Sequence, residues 1–246
     1  MNKHLLSALA AGLLASSASQ AADKAHWGYT GHEGPDNWGE LSPDYALCAS
    51  GKNQSPINLT DMVEGGLPAL SIDYKPGGFE VINNGHTIQV NYAPGSSLTV
   101  DGHRFELKQF HFHAPSENRI EGRAFPMEAH FVHADSDGNL AVIAVMYENG
   151  EANPELARAW QVMPHDAGGS HPLNNRVDAN ALLPKDRDYY RFNGSLTTPP
   201  CSEGVTWIVM KTPEKATAEQ IEAFSHTMHH DNNRPTQPLN ARVVIQ

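Results

Sequence analysis

"QFHFHAPSEN", residues 109–118, alternates polar and aromatic side chains, and whether it is a strand or a helix decides the fold. In a strand, successive side chains point to opposite faces, which puts Gln109, His111 and His113 on one face and Phe110 and Phe112 on the other. In a helix, residues two apart diverge, and shared ligation needs a spacing of three or four. The stretch therefore fits a metal site only as a strand. "MEAHFVHAD", residues 127–135, repeats the alternation, with Glu128, His130 and Val132 on one face and His133 on the other. Antiparallel pairing of the two strands brings His130 beside His111 and His113. Three neutral imidazoles leave a tetrahedral Zn²⁺ one open corner, where bound water has its pKa lowered to about 7. Gln109 and Glu128, each two residues before a histidine on the same face, are the expected partners for the imidazole nitrogens turned away from the metal. By itself the H-x-H spacing also suits histidines on the wetter face of a sheet whose phenylalanines form the core.

Other short β-like runs flank this pair: "FEVINN" (79–84), "TIQVNY" (87–92), "SLTVDG" (97–102), "RFELKQFHFH" (104–113), "LAVIAVMY" (140–147) and "GVTWIVMK" (204–211), each bounded by Gly, Pro, Asn or Asp. They predict a mainly β domain, largely antiparallel, with few helices. "LAVIAVMY" is apolar on both faces and suits a central strand covered on both sides. "NPELARAW" predicts a helix capped by Asn153, and "TAEQIEAFSHTMHH" one with a capping box at Thr217 and Gln220 and an apolar face of Ile221, Phe224 and Met228. His226, His229 and His230 then fall at helical spacing. They are read as a polar helix end in preference to a second metal site. His165 and His171 fall in a loop rich in Gly, Pro and Asn and are read as solvated. The Ser-His-Asp alternative lacks a G-x-S-x-G turn.

The chain has 246 residues, 39% of them hydrophobic, enough for one sizeable domain. Seventeen Lys and Arg against 28 Asp and Glu, with no basic cluster, argue against a nucleic-acid partner. Residues 1–21 have the layout of a secretory signal peptide, with cleavage after Ala18 or Ala21, leaving 22–246 as a single domain. The apolar run is too short for a membrane span. The expected location is periplasmic or secreted. Cys48 and Cys201, the only cysteines, read first as a disulfide in an exported chain.

"HWGYTG" (26–31), "QSPINL" (54–59), "NNGHTIQV" (83–90), "QFHFHAPSEN", "MEAHFVH" (127–133), "LAVIAVMYENG" (140–150) and "NGSLTTPPCSEGVTWIV" (193–209) together resemble the α-class carbonic anhydrases, over nearly the whole mature chain. The resemblance implies a single domain around a central twisted, mostly antiparallel β-sheet, with zinc in a conical cleft, and reversible hydration of CO₂ to bicarbonate. It implies His111, His113 and His130 as zinc ligands. Thr197 would orient the zinc-bound hydroxide, itself oriented by Glu117, and Thr198 would help place bicarbonate. Val132, Val142, Leu196 and Trp207 would form the CO₂ pocket. His86 would be the proton shuttle, with Tyr29, Asn84 and Gln89 ordering the water between. It also suggests cis peptides at Ser55-Pro56 and Pro199-Pro200. Ala114-Pro115 stands where many animal members have Trp-Gly, which points to the bacterial secreted branch. All three ligand histidines are present, against the reading as a non-catalytic binding domain; a homodimer is left open.

Overall fold

The computed structural model describes residues 25–246, and there "RFELKQFHFH" lies in a strand near the middle of one eleven-stranded sheet. The strands are β1 (Asn58–Leu59), β2 (Ser71–Asp73), β3 (Gly78–Asn83), β4 (Ile88–Tyr92), β5 (Ser97–Val100), β6 (His103–His113), β7 (Arg119–Ile120), β8 (Met127–Ala134), β9 (Leu140–Asn149), β10 (Ser170–Val177), β11 (Tyr189–Ser195), β12 (Glu203–Met210) and β13 (Glu214–Ala216). The main order is β10-β3-β4-β6-β8-β9-β12-β11, with β5 also on β6, β2 on β5 and β13 on β9; β1 and β7 form a separate two-stranded ribbon. Pairing is antiparallel except where β9 meets β12 and β13 and in the ribbon, so the sheet is mixed but mostly antiparallel, as expected.

Burial explains this order. β9 is buried along nearly its whole length, with Ile143, Val145 and Tyr147 in the larger apolar core and Val142, Ala144 and Met146 in a second core on the opposite face. The larger core is closed by α3 (Pro154–Trp160) and α4 (Ala218–Met228), which follow the short helices α1 (Trp38–Leu41) and α2 (Leu47–Ser50) and contribute Leu156, Phe224 and Met228. Asn153 Oδ1 caps α3 by accepting from Glu155 N and Leu156 N, and the Thr217/Gln220 capping box opens α4. α4 ends at Met228: His229 takes a left-handed conformation with φ 63°, so His229 and His230 lie beyond the helix, a departure from the spacing expected for His226, His229 and His230.

β6 departs from simple alternation. Phe105 and Leu107 share the larger core with Phe110 and Phe112, although strict alternation puts odd and even positions on opposite faces. A register shift opposite β8, between Leu107 and Gln109, leaves Lys108 as an extra residue. This bulge inverts the parity of the strand, so Phe105 and Leu107 before it and Phe110 and Phe112 after it face the same core. Gln109, His111 and His113 are thereby sent to the other face.

Two further differences concern the edges. "SHPLNNRV" is strand β10, where the sequence suggests a loop at His171; its exposed residues and Pro172 suit a sheet edge. Cis peptides occur at Ser55-Pro56 and Pro199-Pro200 and also at Ala114-Pro115. Cys48 and Cys201 are disulfide-bonded, beside Trp38 and Tyr45 in a third small apolar cluster. No described helix is long and apolar enough to cross a membrane. The expected signal peptide lies outside the described residues.

Candidate metal centre

The register of β6 against β8 pairs His111 with His130, His113 with Glu128 and Gln109 with Val132. One nitrogen of each imidazole is already committed. His111 Nδ1 meets Gln109 Oε1 at 2.9 Å, His113 Nδ1 meets the Asn232 carbonyl at 2.7 Å, and His130 Nε2 meets Glu128 Oε1 at 2.9 Å. The remaining nitrogens are therefore Nε2 of His111, Nε2 of His113 and Nδ1 of His130. The three residues are the one group of three or more metal-ligating side chains found among the described residues, with ligand atoms within 4.8 Å of one another. Burial first, then the neighbouring imidazoles, holds His111 and His130 well below the usual histidine pKa, and burial likewise lowers His113. Neutral imidazole is the ligating form.

His113 Nε2 is buried and has no hydrogen-bond partner, and neither has Glu117 Oε2, which lies 3.5 Å from it and 3.8 Å from His130 Nδ1. With the rings neutral, these contacts are not ion pairs. A buried unpaired polar atom costs about 1–3 kcal/mol, a cost that a cation at this point removes. The donor set fits a metal ion.

Glu128 is wholly buried and accepts from Glu117 N, Asn118 N, Asn118 Nδ2 and His130 Nε2. Burial raises its pKa, and the Asn118 donors oppose the rise. Glu117 is pushed up to about 8 by burial, against the Arg234 N–H, which donates to Oε1 at 2.9 Å, and the nearby Thr197 hydroxyl. Thr197 is close enough to favour the charged carboxylate without closing a well-formed bond onto Oε2.

The loop carrying Thr197 is clamped to the segment at Ser55: Ser55 N donates to Ser195 Oγ at 2.8 Å and Ser195 N donates to Ser55 Oγ at 3.1 Å. Gly194 permits this approach, since a Cβ there would lie 2.1 Å from Ser55 Oγ and 2.8 Å from Trp207 Cδ1. Trp207 Nε1 donates to Ser195 O, and its ring stands edge-on to His130 at 4.8 Å. Val142 and Trp207 belong to the second core, with Val132 and Leu196 packed at its border.

Above the histidines opens a cleft of about 150 Å³ lined by Trp27, Tyr29, Asn84, His86, Gln89, Gln109, His111, His113 and Thr198, among others. His86 stacks on Trp27 with ring centroids 3.7 Å apart, and burial followed by His26 and His230 lowers its pKa. Burial raises the Tyr29 phenol well above its usual value. His133 is on the other face, as expected, bonded to Ala141 O and the Tyr74 hydroxyl. His165 and His171 are exposed.

A model of the eukaryotic-type carbonic anhydrase family matches residues 33–246. The chain belongs to the α-carbonic anhydrase family. A carbonic anhydrase of Neisseria gonorrhoeae is 56% identical over 238 residues, covering 95% of this chain and 94% of that protein. One from Pectobacterium carotovorum is 53% identical over 228 residues, covering 93% of each. The structure of an α-carbonic anhydrase from Thermovibrio ammonificans with the inhibitor sulfanilamide superposes with a TM-score of 0.89 at 53% identity, covering 91% of this chain and all of that one. The chain is thus an enzyme, a carbonic anhydrase, and the family's reaction is the hydration of CO₂.

Three groups at this α-carbonic anhydrase site escape the sequence patterns. Asn232 fixes His113 through its carbonyl, while its side chain accepts from Ala114 N and donates to Phe112 O and His86 O. Arg234 reaches Glu117 through its backbone and Gln54, Ser55 and Cys48 through its guanidinium. Trp27 is the ring under His86. The first two lie more than 100 residues from their partners in the chain, with no local periodicity to mark them.

Proposed function

We propose that the chain hydrates CO₂ reversibly to bicarbonate and a proton, with zinc held by His111 Nε2, His113 Nε2 and His130 Nδ1. The observation that carries this reading is the convergence of three neutral imidazoles whose opposite nitrogens are all occupied. Zinc held by these three histidines would supply a Lewis acid able to lower the pKa of water to about 7 and so to provide a nucleophile at neutral pH.

The protein's own residues align the reaction. Glu117 works as a carboxylate when positive charge is held beside it, since an opposite charge favours the ionised form. It then takes the single proton of the Thr197 hydroxyl in a hydrogen bond, which leaves that oxygen's lone pairs to accept from the attacking group and aim it. Val132, Val142, Leu196 and Trp207 offer an apolar wall for CO₂, and Thr198 helps seat the bicarbonate product. Gln109 and Glu128 hold the His111 and His130 tautomers. His86 accepts the released proton over water ordered by Tyr29, Asn84 and Gln89 and passes it to buffer. The disulfide supports an oxidising location, the periplasm or the cell exterior.

Stopped-flow CO₂ hydration before and after metal removal tests the reading. Fast hydration that is lost on chelation and regained with zinc is expected; a rate indifferent to complete metal removal overturns it.

A further inference from the structure

Gln89 stands on the cleft wall with His86 and His111, and its amide is the inner end of a hydrogen-bond chain that leads out of the site. Gln89 Nε2 donates to Asn91 Oδ1 at 2.7 Å, Asn91 Nδ2 donates to Glu80 Oε2 at 2.7 Å, and Ser170 Oγ donates to Glu80 Oε1 at 2.5 Å. The chain follows the register of the sheet, in which Gln89 is opposite His111, Asn91 opposite Gln109, and Glu80 opposite Asn91.

The direction of the two amides follows from the outer end. A carboxylate only accepts, so Asn91 must turn its NH₂ to Glu80 and its carbonyl to Gln89. Gln89 must in turn give its NH₂ to Asn91. The carbonyl oxygen is then the polar atom that Gln89 keeps for the cleft. Asn84, on the same wall, has the opposite polarity: its Oδ1 accepts from His86 N and Thr87 N, both at 2.9 Å, and leaves the NH₂ free. The hydrogen bonds from Ser170 and Asn91 also lower the Glu80 pKa, which keeps the group an acceptor through the neutral range.

We infer that Glu80 is a positioning residue: through Asn91 it holds the Gln89 carbonyl toward the cleft, so that water beside His86 meets a donor at Asn84 and an acceptor at Gln89. Its effect on rate rests on the proposed hydration reaction; its effect on the amide does not.

Glu80→Lys replaces the acceptor-only end by a donor-only one, which turns both amides over. Adding Asn91→Asp puts an acceptor between the introduced ammonium group and Gln89 and restores the Gln89 direction. In the zinc-loaded protein, E80K is expected to move the Gln89 side-chain NH₂ resonances in ¹⁵N spectra and to lower kcat in weak buffer about fivefold, the factor carried by one hydrogen bond, with kcat/KM unchanged. E80K/N91D is expected to return both to wild-type values, which a variant acting through general instability does not do. Gln89 resonances that stay put in E80K, or that fail to return in the double variant, overturn the inference. Resonances that move and return while kcat never changes support the amide chain and count against the proton path of the proposed function.

Discussion

Replacing Glu128 by glutamine keeps the side chain's volume and removes half of its accepting capacity. Oε2 takes two backbone N–H groups, of Glu117 at 2.7 Å and Asn118 at 2.8 Å, while Oε1 takes Asn118 Nδ2 at 2.7 Å and His130 Nε2 at 2.9 Å. An amide has one oxygen. If its NH₂ faces the two backbone donors, two buried groups lose their partners at about 1–3 kcal/mol each. If it faces the other pair, Asn118 cannot turn over without abandoning Ile57 N, which donates to its Oδ1. His130 can adapt by moving its proton from Nε2 to Nδ1, the less costly outcome and the one that blocks the metal-binding nitrogen. Zinc affinity should fall by about 10–100-fold, the usual loss when such a partner is removed, and the metal-free protein should lose about 2 kcal/mol of stability. Competition with a chromophoric chelator measures the first, urea unfolding the second, and ¹⁵N imidazole spectra of the metal-free protein read the tautomer. Affinity within about twofold of wild type, with His130 still protonated on Nε2, refutes the reasoning.

Thr197→Ala should slow CO₂ hydration by about 100-fold, within the range set by losing a group that aligns the reacting atom, while leaving zinc stoichiometry intact; near-normal turnover removes Thr197 from the mechanism. His86→Ala should lower kcat in weak buffer and recover with added imidazole, because small bases replace a proton carrier; a rate unchanged in weak buffer rules out that role. Deleting Lys108 removes the extra residue, so Leu107 and Gln109 become neighbours in strict alternation and His111 and His113 keep their face; elemental analysis of the folded variant should find zinc retained, and its loss contradicts the register argument. Burial lowers the folded pKa of His133 to about 4, so on acidification the unfolded chain protonates first and stability drops between about pH 6.5 and 4, by roughly 3 kcal/mol. Urea unfolding at about pH 7 and about pH 4.5 should show a shallower loss in His133→Gln than in wild type at equal metal content; identical losses reject the assignment.

The shared face of the three converging histidines is legible because strand alternation is a local rule: His111, His113 and His130 declare their faces within a few residues of themselves. Phe110 and Phe112 declare the core in the same way. The bulge shows in "RFELKQFHFH" only as a break in alternation, with Phe105 and Leu107 at odd positions and Phe110 and Phe112 at even ones; that Lys108 is the residue left over is set by pairing with β8. β10 escapes because an edge strand need not hide either face, and its Pro172 and asparagines look like a loop. β11 is buried irregularly, paired with β12 on one side and bridged to Ile245 at Arg191, so its alternation is blurred. Thr197 and Glu117 have no local signature and are marked only by family resemblance. Asn232 and Arg234 reach His113 and Glu117 through their backbones from more than 100 residues away, where side-chain patterns carry little information.

Asn232 and Arg234 also come after every strand of the sheet and after α4 in the sequence. The carbonyl that orients His113 and the N–H that holds Glu117 are supplied from there, and Ile245 bridges to Val63 and Arg191. Synthesis runs from the N-terminus, so a growing chain can assemble much of the sheet yet leave the histidine cage unbraced until the segment around Asn232 and Arg234 docks. The cage reaches its full set of hydrogen bonds only once that segment is in place.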